Sequence, residues 1–383
     1  MPTSLETFQQ TIYAQDVDGL RSILDEESAT LEMINQPLFY FGQRAVHMAK
    51  NNLPLLDVLL EHGADINLKS DWEPGGYHIL EETNLELGAD LLIRGATPDI
   101  FAYVGWDDVD AVRRLLDESP HQVHARGGDG VCPLHYAQGV AMARLLLDSG
   151  ADINARCVDH ESTAAQYMVG KRPEVLAFLV EHGAEVDLFM AIALDDANRI
   201  KALLQEQPDA IQGRIGEGRY DVPTRDPNGF KGGNIYLWRL GGALSPLEVA
   251  AYLGNRSISD LLAPLASPRD RLAAAVRMGD VDGALAACKD YPGLLEDAVP
   301  PLHSLLGDMA WAGNVDGVRA LLACGLDVDT RWSHKHTPLI VAALQGQAEV
   351  MALLLTHSPD LEAKNEFGGT AVQAVGFASV SSP

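Results

Sequence analysis

Asp159-His160-Glu161 places two carboxylates and an imidazole side by side, just after Cys157. Residues of these types suit cation coordination or acid–base catalysis. Along an extended loop, alternate residues face opposite ways, so Asp159 and Glu161 are expected on one side and His160 on the other. The competing expectation is a solvated turn whose Ser162 or Thr163 caps a helix. His334-Lys335-His336, after Trp332, offers a second pair of imidazoles, but no third or fourth ligand stands nearby, so an exposed loop is expected. No Gly-x-x-x-x-Gly-Lys-Ser/Thr, Gly-x-Ser-x-Gly, His-Glu-x-x-His or Cys-x-x-Cys occurs. The four cysteines, Cys132, Cys157, Cys288 and Cys324, lie apart and read as reduced thiols of a cytoplasmic protein. Neither a metal nor a cofactor is expected from these patterns.

A second group is aromatic: Trp72, Tyr77, Trp106, Tyr136, Tyr167, Tyr236, Trp238 and Trp332. Together with Asp129, Asp159, Glu161 and Arg239 these are the side chains for a ligand surface, because aromatic faces beside carboxylates bind sugars, cations or peptides. Tyr236, Trp238 and Arg239 fall in residues 213–243, where Gly and Pro are too dense for a long helix. A connection of that length is functional or disordered in most folds. Its Ile235-Tyr236-Leu237-Trp238 run predicts an ordered hairpin or lid.

These side chains must be carried by something, and the rest of the chain repeats itself. Leu59-Leu60-Glu61-His62-Gly63-Ala64-Asp65-Ile66-Asn67 returns as Leu146-Leu147-Asp148-Ser149-Gly150-Ala151-Asp152-Ile153-Asn154 and as Leu179-Val180-Glu181-His182-Gly183-Ala184-Glu185-Val186-Asp187. A weaker echo runs from Leu321 to Asp329. Gly150 to Gly183 is 33 residues, as is Gly325 to Ser358, where the glycine is replaced. A fixed period of this size marks a stacked solenoid. Within a period, Cys132-Pro133-Leu134-His135 opens a first short helix, with Pro in the first turn. A Leu-rich second helix follows, and Gly150 ends it in the left-handed conformation.

The Thr337-Pro338-Leu339 and Cys132-Pro133-Leu134-His135 starts, with the Gly-Ala-Asp-Ile-Asn ends, resemble the ankyrin repeat over nearly the whole chain. The resemblance implies an all-α ankyrin-repeat solenoid of about ten to eleven helix-turn-helix units with finger loops. It implies that His47, His78, His135 and His303, at or near the Pro-Leu-His position, bond between neighbouring loops. It also implies that fingers and first helices line a concave groove. Units beginning Asp16-Val17-Asp18, Asp108-Val109-Asp110, Asp195-Asp196 and Asp280-Val281-Asp282 divide the single solenoid, 1–383, into blocks 4–98, 99–187, 188–268 and 269–365. The 213–243 insertion and a C-terminal cap, 366–383, complete it.

Two functions follow. The first is a binding scaffold that recognises a partner protein or a small-molecule or carbohydrate ligand through Trp72, Asp129, Tyr136, Tyr167, Tyr236, Trp238, Arg239 and Trp332. The alternative is an enzyme on the same groove, with Asp159 and Glu161 as acid and base, His160 as relay and the insertion as lid. Paired carboxylates with aromatic platforms would then suit carbohydrate chemistry. A formal net charge of −26 argues against nucleic acid and anionic membrane surfaces and favours a basic partner. No apolar stretch approaches a membrane span, and the first residues carry no secretory pattern. A capped stack has no need to oligomerise, so a monomer is expected.

Overall fold

The structure, a computed structural model, describes residues 4–26, 31–217, 233–297 and 302–378, without the side chains of Ser4, Asp297, His303 and 376–378. The chain is all-α. Among the described residues there is no strand, only an isolated bridge between Arg156 and Thr163. The residues group into two compact units. One comprises the described residues through Val186 together with 233–239, and the other 187–217 together with 240–378.

In the first unit, short helices alternate with longer ones. Ala45–Ala49 pairs with Leu53–Glu61, Ile100–Gly105 with Val109–Glu118, the 3-10 turn Pro133–Tyr136 with Val140–Asp148, and Ala164–Met168 with Pro173–Glu181. Polar residues fix the starts: Asn52, Asn84, Asp99, Asp108 and Thr163 each accept a first-turn amide. The glycines of the repeated phrase fix the ends. Gly63, Gly150 and Gly183 have φ of 90°, 96° and 101°, values a side chain resists. Phe8, Ile12, Leu20, Val46, Leu55, Leu56, Leu59, Ile79 and Leu91 form a buried core between successive pairs.

The Asp-Ile-Asn ending is explained by ties to the next repeat. Asn67 donates its amide to the Gly95 carbonyl (3.0 Å) and accepts from the Thr97 backbone (2.7 Å). Asn154 repeats both bonds with Gly183 and Glu185. His47 and His135 form the other tie. Each ring reaches the carbonyl of a following loop, Tyr77 at 3.1 Å and Ser162 at 3.0 Å, while Nδ1 accepts the backbone N–H three residues earlier. Burial holds both imidazoles neutral, with pKa values lowered to about 4.

The second unit follows the same plan. Leu188–Ala193 pairs with Ala197–Glu206, Pro246–Tyr252 with Arg256–Leu262, Pro268–Arg277 with Val281–Asp290, His303–Ala312 with Val315–Ala323, and Pro338–Leu344 with Ala348–Leu355. Thr337 caps Ile340 as the Thr-Pro-Leu start requires. Where Ser358 replaces the glycine, the backbone still turns left-handed, at φ 55°. Helix Ala371–Ala378 packs on Pro338–Leu344, and 379–383 lie outside the described residues.

The insertion departs from expectation. Residues 218–232 lie outside the described set. Its two ends meet within the second unit, where the Ile215 N–H donates to the Leu244 carbonyl (3.1 Å) and the Ile215 carbonyl accepts the Ala243 N–H (2.8 Å). The Ile235–Trp238 run is no hairpin. It is one helical turn, Tyr236–Arg239, entered where the Ile235 N–H donates to Ser162 Oγ at 3.2 Å.

Candidate functional site

Three finger loops of the first unit touch in sequence. The first closes between Ser70 and Tyr77, whose backbone groups bond at 2.9 Å. The second turns through Gly128–Gly130 and closes with the Gly127 N–H on the Val131 carbonyl (3.1 Å). The third closes with the Cys157 N–H on the Ser162 carbonyl (3.0 Å). Arg126 stitches the second to the third by donating to the carbonyls of both Gly130 and Arg156 at 2.6 Å.

Asp129 is the pivot. Its φ of 57° is left-handed, set between two glycines. Its carbonyl accepts the amides of Val158 and Asp159 (3.1 and 3.0 Å), which locks the next finger onto it. Its carboxylate Oδ1 accepts the Trp72 indole N–H at 3.0 Å, and the Tyr77 hydroxyl also bonds to it. Phe41 meets Trp72 edge-on at 5.0 Å.

Asp129, Tyr136, Asp159, His160, Tyr167, Trp238 and Arg239 line one cleft of about 290 Å³, joined by Phe41, Tyr77, Glu82, Val131 and Ile235. His160 sits between the two aspartates. Its Nδ1 is 4.0 Å from Asp129 and its Nε2 3.7 Å from Asp159. The Tyr167 hydroxyl lies 3.1 Å from His160 Nδ1 and donates to Cys157 Sγ at 3.4 Å. Burial lowers the His160 pKa against the pull of both aspartates, and it raises the tyrosines Tyr77, Tyr136 and Tyr167 so that they stay protonated. Arg239 lies over the Tyr167 ring, 5.5 Å from its centroid. Its Nε is buried without a hydrogen-bond partner, and desolvation depresses its pKa. Trp238, 74% exposed, stands perpendicular to His160 at the rim.

A second hollow, of about 280 Å³, abuts this cleft and shares Glu82, Tyr136 and Arg239 with it. Lys171 and Arg172 line it. Burial first, and the Arg239 charge second, lower both. Behind the fingers, burial pushes the Glu81 carboxyl up to about 7 although it accepts the His78 and Gly128 amides.

Four expected site residues fall elsewhere. Glu161 does not line the cleft, because residues 158–160 bend rather than extend and Glu161 itself is left-handed at φ 46°. Asp159 and His160 therefore share the cleft, the reverse of the alternation expected, and the Asp159–Glu161 acid–base pair does not converge. Tyr236 is fully buried in the core. Trp72 supports Asp129 from behind. Trp332 belongs to the second unit, where it packs on Trp311 (5.6 Å), donates to Asp308 (2.8 Å) and lines a cleft of about 550 Å³. Sequence reasoning missed Phe41 and Glu82, which stand in no recognisable motif and reach the site only through packing.

The comparisons agree with this architecture. Residues 321–374 match the family of ankyrin repeats in many copies, and residues 129–158 match the single ankyrin repeat. The chain is 39% identical over 83 residues to a palmitoyltransferase akr1 of Aspergillus oryzae, covering 20% of this chain and 11% of that protein. It is 35% identical over 80 residues to the serine/threonine-protein kinase VIK of Arabidopsis thaliana, covering 20% and 18%. It is 33% identical over 97 residues to ankyrin repeat and SAM domain-containing protein 6 of Rattus norvegicus, covering 24% and 11%. The chain thus spans less than a fifth of each of these relatives. Among the described residues no helix is long and apolar enough to cross a membrane. The helix pairs, their left-handed glycine ends, the finger loops and these matches together make the chain an ankyrin-repeat protein.

Proposed function

We propose that this ankyrin-repeat chain is a protein-interaction scaffold and that the finger cleft of its first unit is the recognition site. One observation carries the reading: aromatic and charged side chains from three successive fingers and the Tyr236–Arg239 turn converge on a single cleft. Interfaces draw their energy from such buried aromatic and Arg anchors, ringed by modest contacts. Trp238 at the rim is the largest exposed apolar surface there and is placed to cover an inserted partner side chain. A partner segment would run along fingers 69–73, 126–131 and 156–162. The net charge of −26 steers a basic segment toward the chain, so association slows as salt rises.

The test is a photo-crosslinking residue at position 238, compared with one at Ile93, which is as exposed but lies on a second helix. A single polypeptide product is expected from position 238, lost on Tyr136→Ala and weakened by salt. Equal products from both positions would refute the placement.

A further inference from the structure

We propose that Asp129, Asp159 and His160 form a binding site for a divalent transition-metal ion, of the Zn²⁺ or Mn²⁺ class. The inference goes beyond partner recognition and does not depend on it.

One carboxylate oxygen from each aspartate and one ring nitrogen of His160 lie within 4.8 Å of one another. The two loops that carry them are fixed together by the bonds from the Val158 and Asp159 amides to the Asp129 carbonyl. The ligand atoms are also oriented from behind. The Trp72 indole holds Asp129 Oδ1, the Tyr77 hydroxyl bonds to the same carboxylate, and Oδ2 lies 4.0 Å from His160 Nδ1. With its O–H donated to Cys157 Sγ, the Tyr167 hydroxyl oxygen accepts from His160 Nδ1–H. That fixes the tautomer with a lone pair on Nε2, 3.7 Å from Asp159 Oδ2. Partners of this kind, behind a ligating imidazole and carboxylate, are what hold ligands in place around an ion.

Metal–ligand distances of about 2.1 Å require the ligand atoms to close to about 3 Å of one another. Rotation of the three side chains among their staggered rotamers would have to supply that movement. Two carboxylate oxygens and one imidazole nitrogen suit Zn²⁺ or Mn²⁺. Ca²⁺, which takes about six to eight oxygens, is poorly served by three ligands of which one is nitrogen. The remaining coordination positions open into the cleft, beside Tyr136 and Arg239.

The full-length chain, stripped with EDTA and desalted, is titrated with ZnCl₂ by calorimetry and with MnCl₂ by electron paramagnetic resonance. One saturable site is expected. It is lost in Asp159→Asn and in His160→Gln, and Trp72→Phe weakens it by about 10–100-fold. It is retained in a His334→Gln/His336→Gln double variant, which removes the other imidazole pair. Circular dichroism confirms that each variant is folded, and ion-dependent thermal stabilisation present in the wild type and absent in Asp159→Asn gives a second readout. Failure of the wild type to bind either ion saturably overturns the proposal. So does binding that survives in both Asp159→Asn and His160→Gln.

Discussion

Replacing Glu248 by Gln separates burial from distance as the source of an ion pair's value. The Glu248 carboxylate is 0% exposed and accepts from Arg214 (3.1 Å), Arg269 (2.5 Å), Arg277 (3.5 Å) and the Ser245 backbone (3.1 Å). Asp270 pairs with Arg214 and Arg269, and Asp308 stands 4.0 Å from Arg277. Three guanidinium groups thus face three carboxylates inside the second unit. At an effective dielectric of about 20, each contact near 3 Å is worth about 5 kcal/mol before the cost of desolvation. Gln keeps the capping-box geometry with Ser245 but removes one negative charge, leaving buried cations in excess. Breaking buried pairs in this way costs about 3–5 kcal/mol. The internal control is Arg21–Glu61, as short at 2.6 Å but with side chains 47% and 55% exposed, where water screens the attraction. Urea unfolding at pH 7 is therefore expected to show a midpoint lowered by about 1 M or more for Glu248→Gln, and an unmoved midpoint for Arg21→Ala. An unmoved midpoint for Glu248→Gln, or an equal loss for Arg21→Ala, would refute the reasoning.

The two loop-bridging histidines should also be visible in solution. With folded pKa values of about 4 against about 6.5 unfolded, His47 and His135 bind fewer protons folded than unfolded between those limits. Their contribution is complete above about pH 6.5 and declines as pH falls toward 4, by about 1.4 kcal/mol per pH unit for each ring. Proton NMR titration should find both rings neutral at pH 5.5, while His62, raised by its bond to Asp25, is protonated there; a His135 ring titrating near 6.5 would contradict the packing described. Finger contact should be equally sensitive to a methyl group. A Cβ on Gly75 would stand 2.0 Å from the Gly127 carbonyl oxygen, whereas one on Gly63 meets nothing within 4 Å and only the strain of its φ. Thermal denaturation should therefore show Gly75→Ala costing clearly more than the roughly 1 kcal/mol expected of Gly63→Ala, and the ranking fails if the two variants melt together.

Much of this was readable from spacing. A residue that must adopt a left-handed turn announces itself as Gly, and one that must cap a helix as Asp, Asn, Ser or Thr, so the helix ends at Gly63, Gly150, Gly183 and Thr337 followed directly. The role of Asn67 and Asn154 was legible as a repeat but not as a mechanism, since their partners lie a whole period away. The cleft was legible in part. Asp129, Tyr136, Asp159, His160 and Tyr167 converge because successive repeats bring equivalent loop and first-helix positions together, and the insertion's helical turn adds Trp238 and Arg239. The alternation rule failed at Glu161, where a single left-handed residue ended the extended geometry on which it rests. Tyr236, expected at the ligand surface as an aromatic of a Gly-rich segment, instead fills the core.

By itself, the amino-acid order determined the ankyrin repeat, its all-α units and the loops on which polar and aromatic groups stand. Those features are local: each depends on backbone preferences and on burial between one helix pair and the next. Only the tertiary structure decided which loop side chains share a cavity, that Trp72 buttresses Asp129, and that Arg214, Arg269 and Arg277 surround Glu248. Such contacts join segments tens of residues apart, and nothing in either segment alone records the direction in which its side chain points.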